Sequence, residues 1–366
     1  MTDVAIGFIG MIGATLAILI GVNVMVALAG TGLLGITILM GLKPALTLLN
    51  SVTFTVVNSF VFTVIPCFLL MGFFAMRAGL GEGMFQAATR WLGRLPGGLA
   101  IATTASAAAF GAASGSSVGT SILFTKMALP EMLSRGYDKG LAAASVAVSG
   151  TLAVLIPPST LIVVYGILTS TSIGPLLLAG IIPGLIFATL LCFTILITAI
   201  RRPDLAPRMI ERFTLRQKLW SLRMVGPLLV CIILIIGGLY AGVFTPTEAG
   251  GMGALITFIM AVIRHRGLRG IRIPSALRDT VQLSAMIFSI IIGGLIFARF
   301  LALSGVTAQI GGFLTDGSLP SWLVVVCVTL VYLVLGMLLD PPALLAAELA
   351  AAAEAEAEAE AETEAE

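Results

Sequence analysis

Ala109-Phe110-Gly111-Ala112-Ala113-Ser114-Gly115-Ser116-Ser117 stands near the centre of 31 uncharged residues, 95–125. A short basic segment flanks it on each side: Arg77, Arg90 and Arg94 fall in 77–94, and Lys126, Arg135 and Lys139 in 126–139. Bases gather on the cytoplasmic side of a membrane protein, so both flanks belong to one side. A single crossing cannot begin and end on the same face. The centre is also too small and too polar to meet lipid. Residues 95–125 therefore form either two short spans or a re-entrant hairpin, and a helix–break–helix hairpin covered by protein is the better reading, because irregular backbone persists at membrane depth only under such cover or beside a water-filled cavity.

The rest of the chain agrees that its solvent is lipid. Of 366 residues, 58% are hydrophobic and only 10% charged, with a mean hydropathy of +1.11. A soluble globule carries about 25% charged residues to cover its core. That contrast excludes a soluble enzyme, a nucleic-acid-binding domain and a disulfide-stapled secreted module. Cys67, Cys192, Cys231 and Cys327 sit far apart in apolar runs and read as small hydrophobes. His265, the single histidine, lies in Arg264-His265-Arg266 and is expected to be a solvated loop residue.

Uncharged runs mark the crossings, each needing about 20 residues. Residues 4–42 hold two spans turning near Gly21-Val22-Asn23, and 44–76 hold a third after a short amphiphilic lead-in. Residues 140–200 hold two more, turning at Thr169-Ser170-Thr171-Ser172, and further spans are predicted near 224–243, 249–263, 279–298 and 321–339. The N-terminus lacks the basic region and cleavage-like site of a signal peptide. Segments 77–94, 126–139, 201–223 and 264–278 carry 18 of the 20 bases, leaving only Lys43 and Arg299. These four segments are expected in the cytoplasm, with the N-terminus outside.

A second hairpin is predicted by self-comparison. Leu95-Pro96 opens the first hairpin and Leu319-Pro320 the last apolar run, an offset of 224 residues. The same offset lays Gly115-Ser116 over Leu339-Asp340. The first Leu-Pro lies on the basic side and the second on the acidic side, so the units are inverted. The expected fold is thus an all-α polytopic membrane protein of inverted repeats with re-entrant helical hairpins and broken helices. The permease domain covers 1–342, with a first repeat at about 44–200 and an incomplete second at about 224–342. Paired broken helices in inverted repeats point to a secondary transporter's midplane site.

A broken helix is also expected at 149–159, Ser149-Gly150-Thr151-Leu152-Ala153-Val154-Leu155-Ile156-Pro157-Pro158-Ser159. Tandem prolines remove two backbone donors and free the preceding carbonyls. Freed carbonyls and hydroxyls are hard oxygen ligands suited to Na⁺, and a half-helix N-terminus favours a carboxylate. A plain proline kink, and small-residue helix packing at the hairpin serines, are the competing structural readings.

At these residues the chain resembles the large membrane subunit of tripartite ATP-independent periplasmic (TRAP) transporters, the DctM-like permeases. The stretches that carry the resemblance are Gly93–Leu99, Phe110–Ser117, Pro130-Glu131-Met132 with Arg135-Gly136-Tyr137-Asp138-Lys139, Ile156–Ser159, and Gly238-Leu239-Tyr240-Ala241-Gly242-Val243-Phe244-Thr245-Pro246-Thr247-Glu248-Ala249. The resemblance implies a multi-pass protein of the bacterial inner membrane. Its implied function is elevator-type, sodium-coupled import of small organic acids such as C4-dicarboxylates, with no enzymatic activity and no organic cofactor. The implied partners are a small DctQ-like membrane subunit and a periplasmic DctP-like substrate-binding protein. By motif, Ser114, Gly115, Ser116 and Ser117 form the first tip, Gly150, Thr151, Pro157, Pro158 and Ser159 the facing broken helix, and Asp340 the second tip. Ser114, Gly115, Ser116, Gly150, Thr151 and Pro157 are expected to hold Na⁺. Ser114, Ser116, Ser117, Ser159 and Asp340 are expected to contact substrate.

Beyond Pro341-Pro342 the sequence departs from the family pattern. Residues 343–366 are Ala/Glu-rich and are expected to be a solvated, frayed tail foreign to the fold, the mark of a truncated or frame-shifted reading. A non-transporting remnant is therefore the alternative function. A channel would want a continuous polar stripe through the spans, and a membrane-embedded enzyme a cluster of His, Cys or acids; neither pattern is present in the sequence.

Overall fold

In the computed structural model, the described residues are 2–168, 171–208, 211, 213–267, 271–307, 309, 322, 323, 326, 329 and 330. Among them there are thirteen α-helices and no strand. They are α1 (Asp3–Leu19), α2 (Val24–Met40), α3 (Leu42–Asn58), α4 (Val64–Arg77), α5 (Leu80–Leu92), α6 (Gly98–Ser114) and α7 (Ser117–Ser134). Next come α8 (Lys139–Leu155), α9 (Thr160–Leu168), α10 (Ile173–Arg201), α11 (Leu215–Tyr240), α12 (Pro246–His265) and α13 (Ile273–Leu303). A 3₁₀ turn, Phe60–Thr63, leads into α4. Among the described residues, five segments are long and apolar enough to cross a membrane: Phe60–Arg77, α10, α11, α12 and α13. The pair α8 and α9, bent by 42°, makes a sixth if counted as one broken span.

The predicted turn near Gly21-Val22-Asn23 separates α1 from α2, with the Asn23 side chain accepting the Met25 N–H at 3.0 Å. The third span needs correction. The short lead-in is a full helix, α3, and the crossing stretch starts at Phe60. Uncharged length alone could not separate the two, because the break at Ser59 carries no charge. The helices that hold the spans predicted near 224–243 and 279–298 begin before those spans. α11 starts at Leu215, where Thr214 and Gln217 form a reciprocal capping box, and α13 starts at Ile273. Charge marks where lipid ends, whereas Arg and Lys are good helix formers, so a helix runs on into the headgroups. His265 is likewise the last residue of α12, with its Nε2 2.8 Å from the Arg77 carbonyl oxygen. Most of the predicted span at 321–339, the second hairpin tip and the tail lie outside the described residues.

The chain divides into two compact units. The first holds α1, α2, α3 and α13 from Ser284 onward. Its packing centres on Phe300, fully buried, whose ring lies where a side chain on Gly10 of α1 or Gly35 of α2 would have to go. Small residues let apolar helices approach closely where no hydrophobic effect drives them together.

The second unit runs from Val61 to Leu283. Its centre is α6, buried at every residue except Ala105 and Ala109. Helices α4, α5, α7, α8 and α10 surround it, and Phe110 meets Phe124 of α7 edge-on at 6.2 Å. The Ala-, Gly- and Ser-rich run that is too polar for lipid is thus sheathed in protein, as the sequence predicts.

Candidate functional site

The hairpin is fixed at both ends. At its base, Arg135-Gly136-Tyr137-Asp138 performs four local tasks. Arg135 pairs with Glu131 at 2.7 Å and Glu211 at 3.2 Å, and these carboxylates hold its guanidinium pKa above the usual arginine value. Gly136 turns the chain at φ 80°. The Tyr137 hydroxyl accepts the Leu99 N–H at 3.2 Å in the first turn of α6, and burial raises its phenol pKa. Asp138 caps α8, its Oδ1 accepting the Leu141 N–H at 3.0 Å.

At the tip, α6 ends in Gly115, whose φ of 58° is left-handed and whose N–H reaches the Gly111 carbonyl at 2.8 Å. Glycine ends helices this way because it lacks the Cβ penalty. Ser116 then caps α7, its Oγ accepting the Gly119 N–H at 3.2 Å. Ser114, buried, shares a hydroxyl–hydroxyl hydrogen bond of 2.8 Å with Thr120 across the break. Gly72 of α4 backs onto the tip, where a Cβ would lie 2.6 Å from the Ser114 carbonyl oxygen.

The facing break is Ile156–Ser159 between α8 and α9, with a cis Pro157–Pro158 peptide. Both prolines are buried beside Leu177 of α10 and Leu239 of α11. Ser159, fully buried, accepts the Ile162 N–H at 3.4 Å. The Thr160 N–H donates to the Gly115 carbonyl at 3.2 Å. The point a Cβ would occupy on Gly115 lies 2.8 Å from the Pro158 carbonyl oxygen and 3.2 Å from Thr160 Oγ1. That hydroxyl is buried and has no hydrogen-bond partner among the described residues. Leaving such a group unsatisfied costs roughly 1–3 kcal/mol, so a ligand that bonded to it would be favoured.

Gly115, Pro158 and Thr160 thus converge directly. Ser114, Ser116 and Ser117 lie on the tip, and Ser159 sits beside Thr160 in the chain. Gly150 and Thr151 are not brought to this point. Both lie within α8, Gly150 pressed against Ser121 of α7 and Thr151 exposed, its hydroxyl returned to the Val148 carbonyl at 2.7 Å. Pro157 is buried within the break. Asp340 lies outside the described residues. Sequence reasoning missed Thr160, Thr120 and Gly72. Thr160 had a signal, a hydroxyl immediately after Ser159 at the start of an apolar run; Gly72 had none.

No group of three or more His, Cys, Asp or Glu capable of holding a metal occurs among the described residues. The tip offers neutral oxygens and helix ends instead. The C-terminal ends of α6 and α8 favour positive charge, and the N-terminal ends of α7 and α9 favour negative charge. Such an arrangement can hold a small hard cation and a carboxylate close together.

The family model described as the tripartite ATP-independent periplasmic transporter, DctM component, matches residues 11–358. The C4-dicarboxylate TRAP transporter large permease protein DctM of Rhodobacter capsulatus is 32% identical over 293 residues, 76% of this chain and 66% of that protein. Its counterpart in Pseudomonas aeruginosa is 35% identical over 280 residues, 76% of this chain and 65% of that protein. The ectoine/5-hydroxyectoine TRAP transporter large permease protein UehC of Ruegeria pomeroyi is 32% identical over 255 residues, 69% and 58% respectively. The chain therefore spans just under two-thirds of the length of the two DctM relatives. All three relatives are transporter permeases, not enzymes.

Proposed function

The chain belongs to the DctM family of TRAP transporter permeases, multi-pass proteins of the bacterial inner membrane, and on that premise we propose that it forms the large permease subunit of a sodium-coupled importer of small organic acids such as C4-dicarboxylates. A small membrane subunit and a periplasmic binding protein complete the transporter. The mechanism we infer is of the elevator type, and Asp340 is kept as a proposed substrate contact.

The observation that carries this reading is the unpartnered Thr160 hydroxyl beside the Gly115 and Pro158 carbonyls. These are hard, neutral oxygens at the ends of broken helices, the donor set that suits Na⁺. The donors present fit the ion. Ser114, Ser116, Ser117 and Ser159 supply hydroxyls, and the N-terminal ends of α7 and α9 favour the substrate carboxylate. Gly150 supports the site through its contact with Ser121 rather than by coordination.

The test is succinate uptake into vesicles by the full transporter, read against sodium concentration. Thr160→Val should raise the sodium needed for half-maximal uptake about tenfold, equivalent to about 1.4 kcal/mol, and Thr160→Ser should restore it. An unchanged sodium requirement in Thr160→Val would remove Thr160 from the ion site. Uptake equally well driven with potassium in place of sodium would overturn the coupling.

A further inference from the structure

Two bases, Lys43 and Arg299, remain after the four basic segments are counted. They stand 256 positions apart in the chain, yet the first unit brings them into one cleft. The cleft is open, has a volume of about 630 Å³, and lies between the first half of α3 and the last turn of α13. Its walls are chiefly apolar, with Pro44, Leu48, Val52, Ala302 and Leu303, and its other polar groups are the Thr47 and Ser51 hydroxyls. A second open hollow of about 490 Å³ adjoins it, sharing Lys43 and Thr47 and extending along Leu42, Leu46 and Asn50. Both cations are exposed, and neither is paired with a carboxylate among the described residues. The first unit's only acid among those residues is Asp3.

We propose that Lys43 and Arg299 bind the headgroup phosphate of an anionic phospholipid, whose acyl chains run along Leu42 and Leu46 on one side and Leu48 and Leu303 on the other. Three features select this ligand. An arginine offers a planar fork to phosphate and a lysine a mobile point charge, a complementary pair for a phosphodiester. Apolar walls on either side of the charges match a molecule that is anionic at one end and hydrocarbon beyond. A small dicarboxylate would have to shed water against those walls with little to replace it. Finally, α3 exposes Leu42, Leu46, Phe54 and Val57 while carrying Lys43, Thr47, Asn50 and Ser51, the mixed surface of a helix lying at a membrane interface. Buried apolar area and attraction to anionic headgroups together set the strength of such binding. The lipid cleft shares no residue with the sodium site.

The experiment places the full chain in phosphatidylcholine vesicles with or without phosphatidylglycerol, extracts it in detergent, and counts retained lipid by native mass spectrometry. Wild type should retain phosphatidylglycerol in preference to phosphatidylcholine. The double variant Lys43→Gln with Arg299→Gln should retain about tenfold less, while Lys43→Arg with Arg299→Lys should keep it. Ala302→Trp, which fills the cleft and leaves both charges, should displace the lipid too, and it decides the matter should the charge-neutral variant fail to fold. Equal retention by wild type and Ala302→Trp would overturn the proposal. Displacement of the lipid by excess succinate or inorganic phosphate would overturn it as well, by showing a site for free anions.

Discussion

The amide of Thr160 donates to the carbonyl of Gly115 across 3.2 Å, tying the first turn of α9 to the tip of a hairpin 45 residues earlier. The two chain breaks thus cover one another. The Pro158 carbonyl oxygen and the Thr160 hydroxyl meet beside a glycine that has no side chain to fill the space.

Gly115→Ala should therefore be costly in two ways. Its φ of 58° is unfavourable for an L-residue, by roughly 1–2 kcal/mol, and its Cβ would stand 2.8 Å from the Pro158 carbonyl oxygen. Thermal unfolding in detergent should drop by several degrees, and uptake should fall further than the stability loss explains. Wild-type uptake by a folded Gly115→Ala protein would show that the space beside Thr160 is not used.

A bulky residue at Gly150 should abolish uptake by forcing α7 from α8, because Ser121 Oγ already occupies the place of a Cβ there. Gly150→Ala combined with Ser121→Gly should regain much of the lost thermal stability and uptake. No recovery in the double variant would point away from packing and back to coordination at Gly150.

Tyr137→Phe removes the acceptor for the Leu99 N–H at the buried start of α6. The expected cost is about 1–3 kcal/mol, the penalty of an orphaned buried donor, read as a lower melting temperature and faster amide exchange at Leu99. The phenol's pKa is raised by burial. Its contribution to stability is therefore present below the ordinary tyrosine value of about 10 and is lost as pH rises through the higher folded value. That alkaline loss should be absent from Tyr137→Phe, and its persistence there would assign it to another group.

A reporter fused after Arg212 should read cytoplasmic and one after Ser318 periplasmic, given 18 of 20 bases in four alternate segments. The opposite readout at either point would undo both the orientation and the inverted repeat derived from it.

Much of the architecture was legible in the residues alone. Composition determined the solvent, because 10% charge cannot cover a soluble core. Alternation of basic and base-free segments determined the hairpin, because a span cannot return to its own side. Pro157-Pro158 determined the break between α8 and α9, because proline can neither donate nor continue a helix. Helix ends were less legible: α11 and α13 run past their uncharged cores, since a helix ends where its caps are and not where lipid stops. The site needed the tertiary structure. Gly150 and Thr151 looked as good as Gly115 from the sequence, and Thr160 was passed over, because each is a small or hydroxylated residue near a break. Only the folding of α6–α7 against α8–α9 decided which oxygens lack partners and which glycine faces them. The same holds for Lys43 and Arg299, whose charges are plain in the sequence but whose meeting depends on how α3 lies against α13. Local chemistry fixes what each residue can do, whereas contacts between distant segments are set by packing, which no short stretch of chain contains.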